Sequence, residues 1–337
     1  MSATSAEADS TPLSEVIPGL LRVKVPLPFP PHAVNAWLMS GPDGWTLIDS
    51  GVNDEPTRAI YTEVLAHPLL GGRPVTRLLV THFHPDHVGL IGWLHDRTGA
   101  EIHMSRIEWM QARLLQNEEP SEVVPQLVEH ARRCGAPAAF LELIPQRGML
   151  FHKWVSPLPR HYRRIQQGDR FELIDSNWTV MIGEGHAPEM VCLYNYARRI
   201  LIAADHILQR ISPHIGSHPS DPSDDPLGSF LRALTPFSRL PDETLVLPSH
   251  GEPFYGLRKR IGELREHHAE RLEKLEVFCR EPRTVTQTLE VLFRPLPIAQ
   301  IGFGLSEALA HLRRLEECGR MDRMSDADGR WLFQTRR

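Results

Sequence analysis

The chain has 337 residues, of which 41% are hydrophobic and 23% are charged, and its formal net charge is −5. This composition is typical of a soluble globular protein with room for one large domain and a second, smaller one. The acidic balance argues against a dedicated nucleic-acid-binding protein, and no stretch is long and apolar enough to span a membrane.

The N-terminus and the cysteines bear on cellular location. The first twelve residues are small and polar and contain no apolar signal core, so we predict a disordered tail over residues 1–14 and no secretion. Cys134, Cys192, Cys279 and Cys318 are far apart and form no CxxC pair. We predict buried free thiols in a reducing compartment, and therefore a cytoplasmic protein, with a disulfide as the alternative.

The first hundred residues alternate between strand and helix patterns. Apolar runs predict strands at 20–25, 35–39, 45–51, 75–80 and 101–104. Between them, Asn53 can cap a helix that carries Ile60 and Val64 on one face, and residues 86–98 form the next helix. This alternation predicts an α/β fold.

Residues 105–168 depart from that alternation. Three segments, 105–116, 121–134 and 137–145, have apolar residues at helical spacing and are separated by prolines. The end of this region, residues 143–168, contains five cations and no acid. We predict a helical insertion that projects from the sheet.

After the insertion, strand patterns return at 170–174, 178–182, 191–196, 200–203 and 244–247, with a helix that starts at Asp225 and Pro226. Beyond residue 258 we predict a long amphipathic helix, a second helix with a capping box, a third helix capped by Ser306, and a terminal hairpin. Three helices and a hairpin predict a winged-helix-like module over residues 259–337.

One short stretch concentrates groups that bind metals. Residues 82–87 have the sequence HFHPDH, directly after a predicted strand. His82 and His84 should point the same way because side chains alternate along a strand end, and Asp86 and His87 follow where the chain turns into a helix. Imidazole and carboxylate together suit Zn²⁺, Fe and Mn, so the stretch predicts a metal site.

Further candidate ligands follow other predicted strands. His186 lies in the segment GEGHAP, Asp205 in AADH and His250 in PSHG. The glycines beside His186 allow the backbone to turn sharply. A lone histidine at a strand end is more often structural, but three such positions in series favour a two-metal site, which Asp205 could bridge through its two oxygens.

The order of these motifs, HxHxDH, GxGHxP, AADH and PSHG, resembles that of the metallo-β-lactamase fold hydrolases. The resemblance covers about residues 15–258 and implies a four-layer αβ/βα sandwich as the catalytic domain. Asp49 matches the family's carboxylate beside the ligands. The resemblance also implies seven ligands to two divalent transition-metal ions, zinc or else iron or manganese: His82, His84, Asp86, His87, His186, Asp205 and His250.

The resemblance implies hydrolysis by a hydroxide between the two ions, because metal binding lowers the pKa of water to about 7. Asp86 would orient this hydroxide and Asp205 would bridge the ions, which makes them the candidate catalytic carboxylates. The subgroup with a winged-helix domain includes glyoxalase II-like proteins, so we expect a small anionic thioester or ester as substrate. The alternative is an endoribonuclease or another phosphodiester hydrolase of the same fold.

The charge of the terminal module bears on whether the protein binds nucleic acids or membranes. The third helix of the terminal module carries Arg313 and Arg314 but also several acids, so it lacks the basic face of a helix that recognises DNA. We therefore predict no specific nucleic-acid partner and no membrane contact. The module is better explained as a packing element or as part of a homodimer interface.

Two features of the sequence concern the substrate. We predict that the insertion is a lid and that four residues of its basic end bind an anionic part of the substrate: Arg160, Tyr162, Arg163 and Arg164. A solvated surface strip or a dimer contact is the alternative.

The second feature is a departure from the family pattern. Related sequences often continue Pro-Glu-His after the ligand at position 186, whereas this chain has Met190. His206, His214 and His218 lie nearby in sequence and could replace the missing imidazole. Loop or surface histidines are the alternative for all three.

Overall fold

In the computed structural model, which describes residues 12–336, the first sheet has seven strands in chain order. They are β1 (Leu13–Ile17), β2 (Leu20–Pro26), β3 (Ala33–Gly41), β4 (Gly44–Ile48), β5 (Val75–Leu79), β6 (Glu101–Met104) and β7 (Arg163–Arg164). The pairs from β1 to β4 are antiparallel and those from β4 to β7 are parallel. The predicted tail ends earlier than residue 14, because Leu13 is a buried residue of β1; residues 1–11 lie outside the described part of the chain.

The second sheet has five strands: β8 (Arg170–Leu173), β9 (Ser176–Gly183), β10 (Met190–Asn195), β11 (Ile200–Ala204) and β12 (Leu245–Pro248). Their spatial order is β12-β11-β10-β9-β8, and only β11 and β12 run parallel. The bounds differ from the sequence-predicted strands by one or two residues, as is usual for strand ends.

The two sheets pack face to face. Alternate residues of β3 divide between two cores: Trp37 points to the inner core and Leu38 to the outer one. In the inner core, Trp37 and Ile48 of the first sheet join Trp178 and Leu193 of the second. Helices cover both outer faces, which confirms the four-layer sandwich.

The helices of the first outer layer are α1 (Glu55–Leu65), α2 (Pro85–Val88) and α3 (Ile91–Thr98). Asp54, rather than the predicted Asn53, caps α1, since its side chain accepts a hydrogen bond from the Thr57 amide. The predicted helix over residues 86–98 is split in two at Gly89. A Cβ atom there would lie 2.2 Å from the Pro85 carbonyl oxygen, so only glycine permits this close backbone approach.

The insertion forms four helices, α4 (Arg106–Asn117), α5 (Pro120–Arg133), α6 (Ala138–Arg147) and α7 (Leu150–Trp154), and α7 was missed in the sequence. It does not form a single lid. Trp109 of α4 and Phe151 of α7 belong to the outer core of the first sheet, whereas Phe140 of α6 belongs to the core shared with the C-terminal module. The insertion also extends the sheet through β7, contrary to the prediction that it only projects.

The chain then forms α8 (Pro226–Ser238), which Asp225 caps as predicted, and the C-terminal module. The elements of this module are α9 (Leu257–Phe278), β13 (Arg283–Thr284), α10 (Val285–Leu292), α11 (Ile301–Glu317), β14 (Met321–Ser325) and β15 (Trp331–Thr335). The hairpin of β14 and β15 is confirmed, and β13 adds a third strand that the sequence did not indicate. Thr284 and Gln287 form the predicted capping box, but α11 starts at Ile301, which leaves Ser306 inside the helix.

Two further expectations can be compared with the described residues. The four cysteines are unpaired, as predicted, but Cys318 is exposed rather than buried because it follows the last turn of α11. Across residues 12–336, no helix has the length and apolar character that are required to cross a bilayer.

Candidate metal centre

The predicted ligands meet at one edge of the sandwich. Each follows the carboxyl end of a strand: residues 82–87 follow β5, His186 follows β9, Asp205 follows β11 and His250 follows β12. The glycine at position 185 has a φ of +99°, which turns the chain sharply so that His186 faces the other ligands. The sandwich thereby brings residues from distant parts of the chain into one site.

The first group of ligands consists of His82, His84 and His186. Nε2 of His82 lies 3.1 Å from Nδ1 of His84, which lies 2.9 Å from Nε2 of His186, and the third side of this triangle is 3.2 Å. For metal–nitrogen bonds of about 2.0–2.1 Å, these separations correspond to ligand angles of roughly 90–100°. The triangle therefore has the dimensions of three imidazole ligands on one cation.

The second group consists of Asp86, His87 and His250. Oδ2 of Asp86 lies 3.4 Å from Nε2 of both histidines. Asp205 lies between the groups, with Oδ2 at 3.4 Å from Nε2 of His186 and 3.4 Å from Nε2 of His250. The same oxygen of Asp205 thus faces both groups, whereas the sequence suggested one oxygen for each.

The other ring nitrogens of the histidines are held by the protein. Nδ1 of His186 donates to the His214 carbonyl and Nδ1 of His250 to the Ala33 carbonyl, both at 2.7 Å. Nδ1 of His87 lies 2.9 Å from Oδ2 of Asp49. Donation from Nδ1 leaves the lone pair of Nε2 directed into the site, which is the tautomer that a metal requires.

Asp49 has a backbone conformation that is uncommon for a residue with a side chain, with a φ of +61°. Its carboxylate accepts hydrogen bonds from the amide and the hydroxyl group of Thr81 at 2.8 and 2.7 Å, besides its contact with His87. Asp49 therefore ties β4 to the loop that follows β5, in the supporting position beside the ligands that the sequence predicted for it.

The electrostatics of the site suit cations. Burial, reinforced by neighbouring imidazoles, lowers the pKa of His82 and His84 far below the ordinary value. Burial alone would also lower the pKa of His250, but Asp205 and Asp86 raise it to about 10. Nε2 of His87 and Oδ1 of Asp205 are buried and have no hydrogen-bond partner among the described residues. Carboxylates, inward lone pairs and orphaned polar atoms together fit divalent metal ions.

Comparison with known families agrees with this geometry. The model of the Metallo-beta-lactamase superfamily matches residues 29–250, about two thirds of the chain. The chain belongs to the metallo-β-lactamase superfamily. The family described as Metallo-beta-lactamase-like, C-terminal domain matches residues 272–336. The protein is thus a metallo-hydrolase of this superfamily with His/Asp clusters that are capable of binding metal ions.

Similar proteins span nearly the whole chain. A beta-lactamase domain protein from Burkholderia ambifaria is 34% identical, with a TM-score of 0.91 over 98% of this chain and 97% of its own. A metallo-beta-lactamase family protein from Thermus thermophilus is 27% identical, with a TM-score of 0.80 over 96% and 100%. The probable metallo-hydrolase YqjP of Bacillus subtilis (strain 168) is 26% identical over 88% of this chain and 92% of its own.

One supporting residue of this metallo-β-lactamase superfamily protein was missed in the sequence. Glu108, in the first turn of α4, is fully buried, and its two oxygens accept hydrogen bonds from the amides of Phe83 at 3.0 Å and Glu189 at 2.7 Å. One carboxylate therefore joins the HFHPDH loop to the loop of His186. A single acid in an amphipathic helix carries no sequence signal for this role, because its partners are backbone groups of other loops.

The residues predicted to bind the substrate make separate contacts away from the ligand groups. Tyr162 stacks on Trp109 with ring centroids 4.6 Å apart, whereas Arg163 is exposed and pairs with Glu101 of β6 at 3.0 Å. Arg160 and Arg164 are also exposed. Within residues 12–336, none of these four forms a hydrogen bond or an ion pair with the ligand groups.

The structure also shows the surroundings of Met190, which stands where related sequences often have a histidine. Met190 is fully buried at the start of β10 and packs with Ala187, Ala204 and Phe83. His206 is buried against Phe230 and belongs to none of the His/Asp groups that could hold a metal ion within residues 12–336. His214 does contact the site, but through its backbone carbonyl rather than its imidazole.

Proposed function

We propose that the protein hydrolyses small anionic thioesters or esters at a centre of two divalent transition-metal ions, with zinc expected and iron or manganese as alternatives. The observation that carries the two-ion proposal is the position of Asp205, whose Oδ2 lies 3.4 Å from a histidine of each group. Two bound ions would activate a water molecule and polarise the scissile carbonyl group.

The chain's own residues prepare the site for that chemistry. Asp49 and the carbonyl oxygens of Ala33 and His214 fix the orientation of three ligating imidazoles. Asp86 is only partly buried, so its carboxylate borders the open side of the site and is placed to orient a water molecule. Because residues 12–336 provide this complete set, the proposal needs neither a serine nor a cysteine nucleophile.

The substrate class is supported by a groove along α4. This groove of about 660 Å³ is lined by Arg106, Trp109, Met110, Arg113, Leu114, Asn117 and Tyr162. Its Arg106 end is close to the metal-binding loops, because the Ile107 amide donates to Glu189, three residues after His186. Cations beside aromatic and aliphatic surface suit an anionic carrier such as the thiol part of a thioester.

A nucleic-acid substrate is less well supported. Arg313 of α11 is buried and lies within 4.0 Å of Glu316 and Glu317, and Arg314 pairs with Asp225 at 2.8 Å. Both arginines are thus engaged in ion pairs within the protein rather than presented on a basic face. These contacts favour a small substrate over the phosphodiester alternative.

Metal analysis and a substrate panel test the proposal. We expect two equivalents of metal in the purified protein and turnover of a glutathione thioester, an acyl-CoA or a lactone rather than a phosphodiester. His84→Ala should lose at least one ion and nearly all activity, whereas the control His161→Ala changes an exposed histidine and should lose neither. A fully loaded, active His84→Ala protein, or a clear preference for phosphodiesters, would contradict the proposal.

The groove is tested by a matched pair of arginine substitutions. Arg106 lines the groove and has no acidic partner among the described residues, whereas Arg163 is already paired with Glu101. Arg106→Ala should raise KM about tenfold, as expected for a lost charge-assisted bond of about 1.5 kcal/mol, with a smaller effect on kcat. Arg163→Ala should leave both constants unchanged. If Arg163→Ala raises KM and Arg106→Ala does not, the anionic part of the substrate binds at the basic end of the insertion instead.

A further inference from the structure

His186 depends on a segment that has no regular structure of its own. Residues 205–225, all of which are described, contain neither helix nor strand. The carbonyl oxygen of His214, in the middle of this segment, accepts the Nδ1 hydrogen of His186 at 2.7 Å. Other groups must therefore hold this carbonyl in place, because a ligand is only as well oriented as the partner of its second nitrogen.

The C-terminal module supplies those groups. From α11, the hydroxyl group of Ser306 lies 3.0 Å from Nε2 of His214, and a carboxylate oxygen of Glu307 lies 3.3 Å from Nδ1. The Ser306 carbonyl also accepts a hydrogen bond from the Ser217 amide at 3.0 Å. Both sides of the His214 imidazole are thereby fixed by consecutive residues of one helix.

A second helix of the module holds the same segment. Arg260 of α9 donates to the carbonyl oxygens of Leu208 at 2.7 Å and Ile211 at 2.9 Å. Glu307 is itself fixed, because Arg271 of α9 forms an ion pair with its other oxygen. Burial would raise the pKa of Glu307, but His214 and Arg271 hold it at about 2, so this carboxylate stays ionised.

The packing around His214 leaves little freedom. A Cβ atom at Gly216 would lie 2.6 Å from Nε2 of His214 and 3.0 Å from the Ser306 hydroxyl group, so the segment is pressed directly against α11. The Phe303 ring packs edge-on to His214 at 5.2 Å. A shift of α11 would therefore displace the carbonyl oxygen that orients His186.

We propose that the C-terminal module positions the metal ligand His186 through Glu307, Ser306 and His214. The proposal rests on the metal centre put forward above and gives the module a role in the site. Glu307 and Ser306 are positioning residues: they act through His214 and do not touch the metal ions or the substrate.

The test measures metal affinity as well as activity. Metal-free full-length protein is titrated with Co²⁺ in competition with a chelator, and the ligand-field absorption of the bound ion reports its geometry. Glu307→Gln and His214→Ala should weaken Co²⁺ binding about tenfold or more and change the ligand-field spectrum, as losses of such outer hydrogen bonds do. His214→Gln, which keeps a polar group near Glu307, should recover part of the loss.

Arg314→Gln is the matched control. Arg314 also lies on α11 and also ties it to the catalytic domain, through Asp225, but it has no link to His214 among the described contacts. This variant should lower thermal stability as Glu307→Gln does, while Co²⁺ affinity and spectrum stay as in the wild type. Unchanged binding by the Glu307 and His214 variants, or equal weakening by Arg314→Gln, would overturn the proposal. A wild-type protein that binds no Co²⁺ would refute the metal centre itself.

Discussion

Glu108 offers a stringent test of how the two metal-binding loops are held together. It is fully buried, and burial raises the pKa of its carboxyl group to about 7, against the two amide hydrogen bonds that lower it. In the metal-free folded protein this carboxyl group therefore keeps its proton at pH values where the unfolded chain, with a pKa near 4.5, has lost it.

The size of the effect on the free energy of unfolding follows from this difference between the folded and unfolded pKa values of Glu108. Between pH 4.5 and 7, Glu108 binds more protons in the folded state than in the unfolded state, so its contribution to the free energy of unfolding must fall as the pH rises. A difference of about 2.5 pKa units corresponds to about 3 kcal/mol at 1.36 kcal/mol per unit, and the loss levels off above pH 7. Glu108→Gln cannot ionise, so relative to the wild type it should gain about 3 kcal/mol over this range.

The metal affinity of the Glu108→Gln variant should fall, although its free energy of unfolding rises. In the Glu108→Gln variant, the new side-chain amide would turn its NH₂ group toward one of the two backbone amides, of Phe83 or Glu189, and leave that donor unsatisfied. The two loops would then be less well fixed relative to each other, and we expect metal affinity to fall about tenfold.

The assay is urea unfolding in the presence of a chelator, at several pH values between 4.5 and 8, together with metal titration at pH 8. Glu142→Gln, on α6 in the same insertion, controls for the removal of an acid outside the site. A wild-type-like pH profile for Glu108→Gln, or wild-type metal affinity, would refute the role that we assign to this carboxylate.

Two further predictions concern the C-terminal module. His268 and His311 are buried 3.1 Å apart, near Glu307, Arg271 and His267, and burial lowers their pKa values to about 3 and about 4. Since they stay neutral when folded but gain protons near pH 6.5 when unfolded, this pair alone should lower the free energy of unfolding by about 3 kcal/mol as the pH falls from 7.5 to 5.5, opposite in sign to the contribution of Glu108. His311→Gln should remove about half of the pair's contribution in urea unfolding, and a pH profile like that of the wild type would contradict it. The module should also show no sub-micromolar, sequence-dependent DNA binding at physiological salt in an anisotropy titration, and such binding would show that the internal ion pairs of α11 do not exclude recognition.

The sequence predicted which residues meet at this edge of the sandwich because each candidate ligand belongs to a short local motif at a strand end. The HFHPDH stretch and the segments around His186, Asp205 and His250 could be placed on the fold from apolar patterns alone. What could not be predicted is what holds these groups. Glu108 and the carbonyl oxygen of His214 act on backbone groups or on ligands distant in sequence, and no local pattern marks such contacts.

The sequence predicted that Ser306 caps a helix, whereas in the structure Ser306 contacts His214 from inside α11. Its type and position before an apolar stretch favour a helix cap, but α11 begins five residues earlier, at Ile301. Inside the helix, its hydroxyl group lies within 3.1 Å of the Phe303 carbonyl and 3.0 Å of His214. The local preference for a cap was therefore overridden by a tertiary contact 92 positions away along the chain.

The predicted boundary at residue 258 does not separate two hydrophobic cores. Leu257, Ile261 and Leu264 of α9 belong to the same hydrophobic cluster as Phe230 of α8 and Leu201 of β11. The C-terminal module thus supplies part of the fourth layer that covers the second sheet, and the insertion joins the same cluster through α6. Since β11 leads directly to Asp205, the helices that cover this sheet also support the candidate bridging ligand. Because the module shares a core with the sheet that carries Asp205, its contact with His214 is held in place relative to the candidate metal centre.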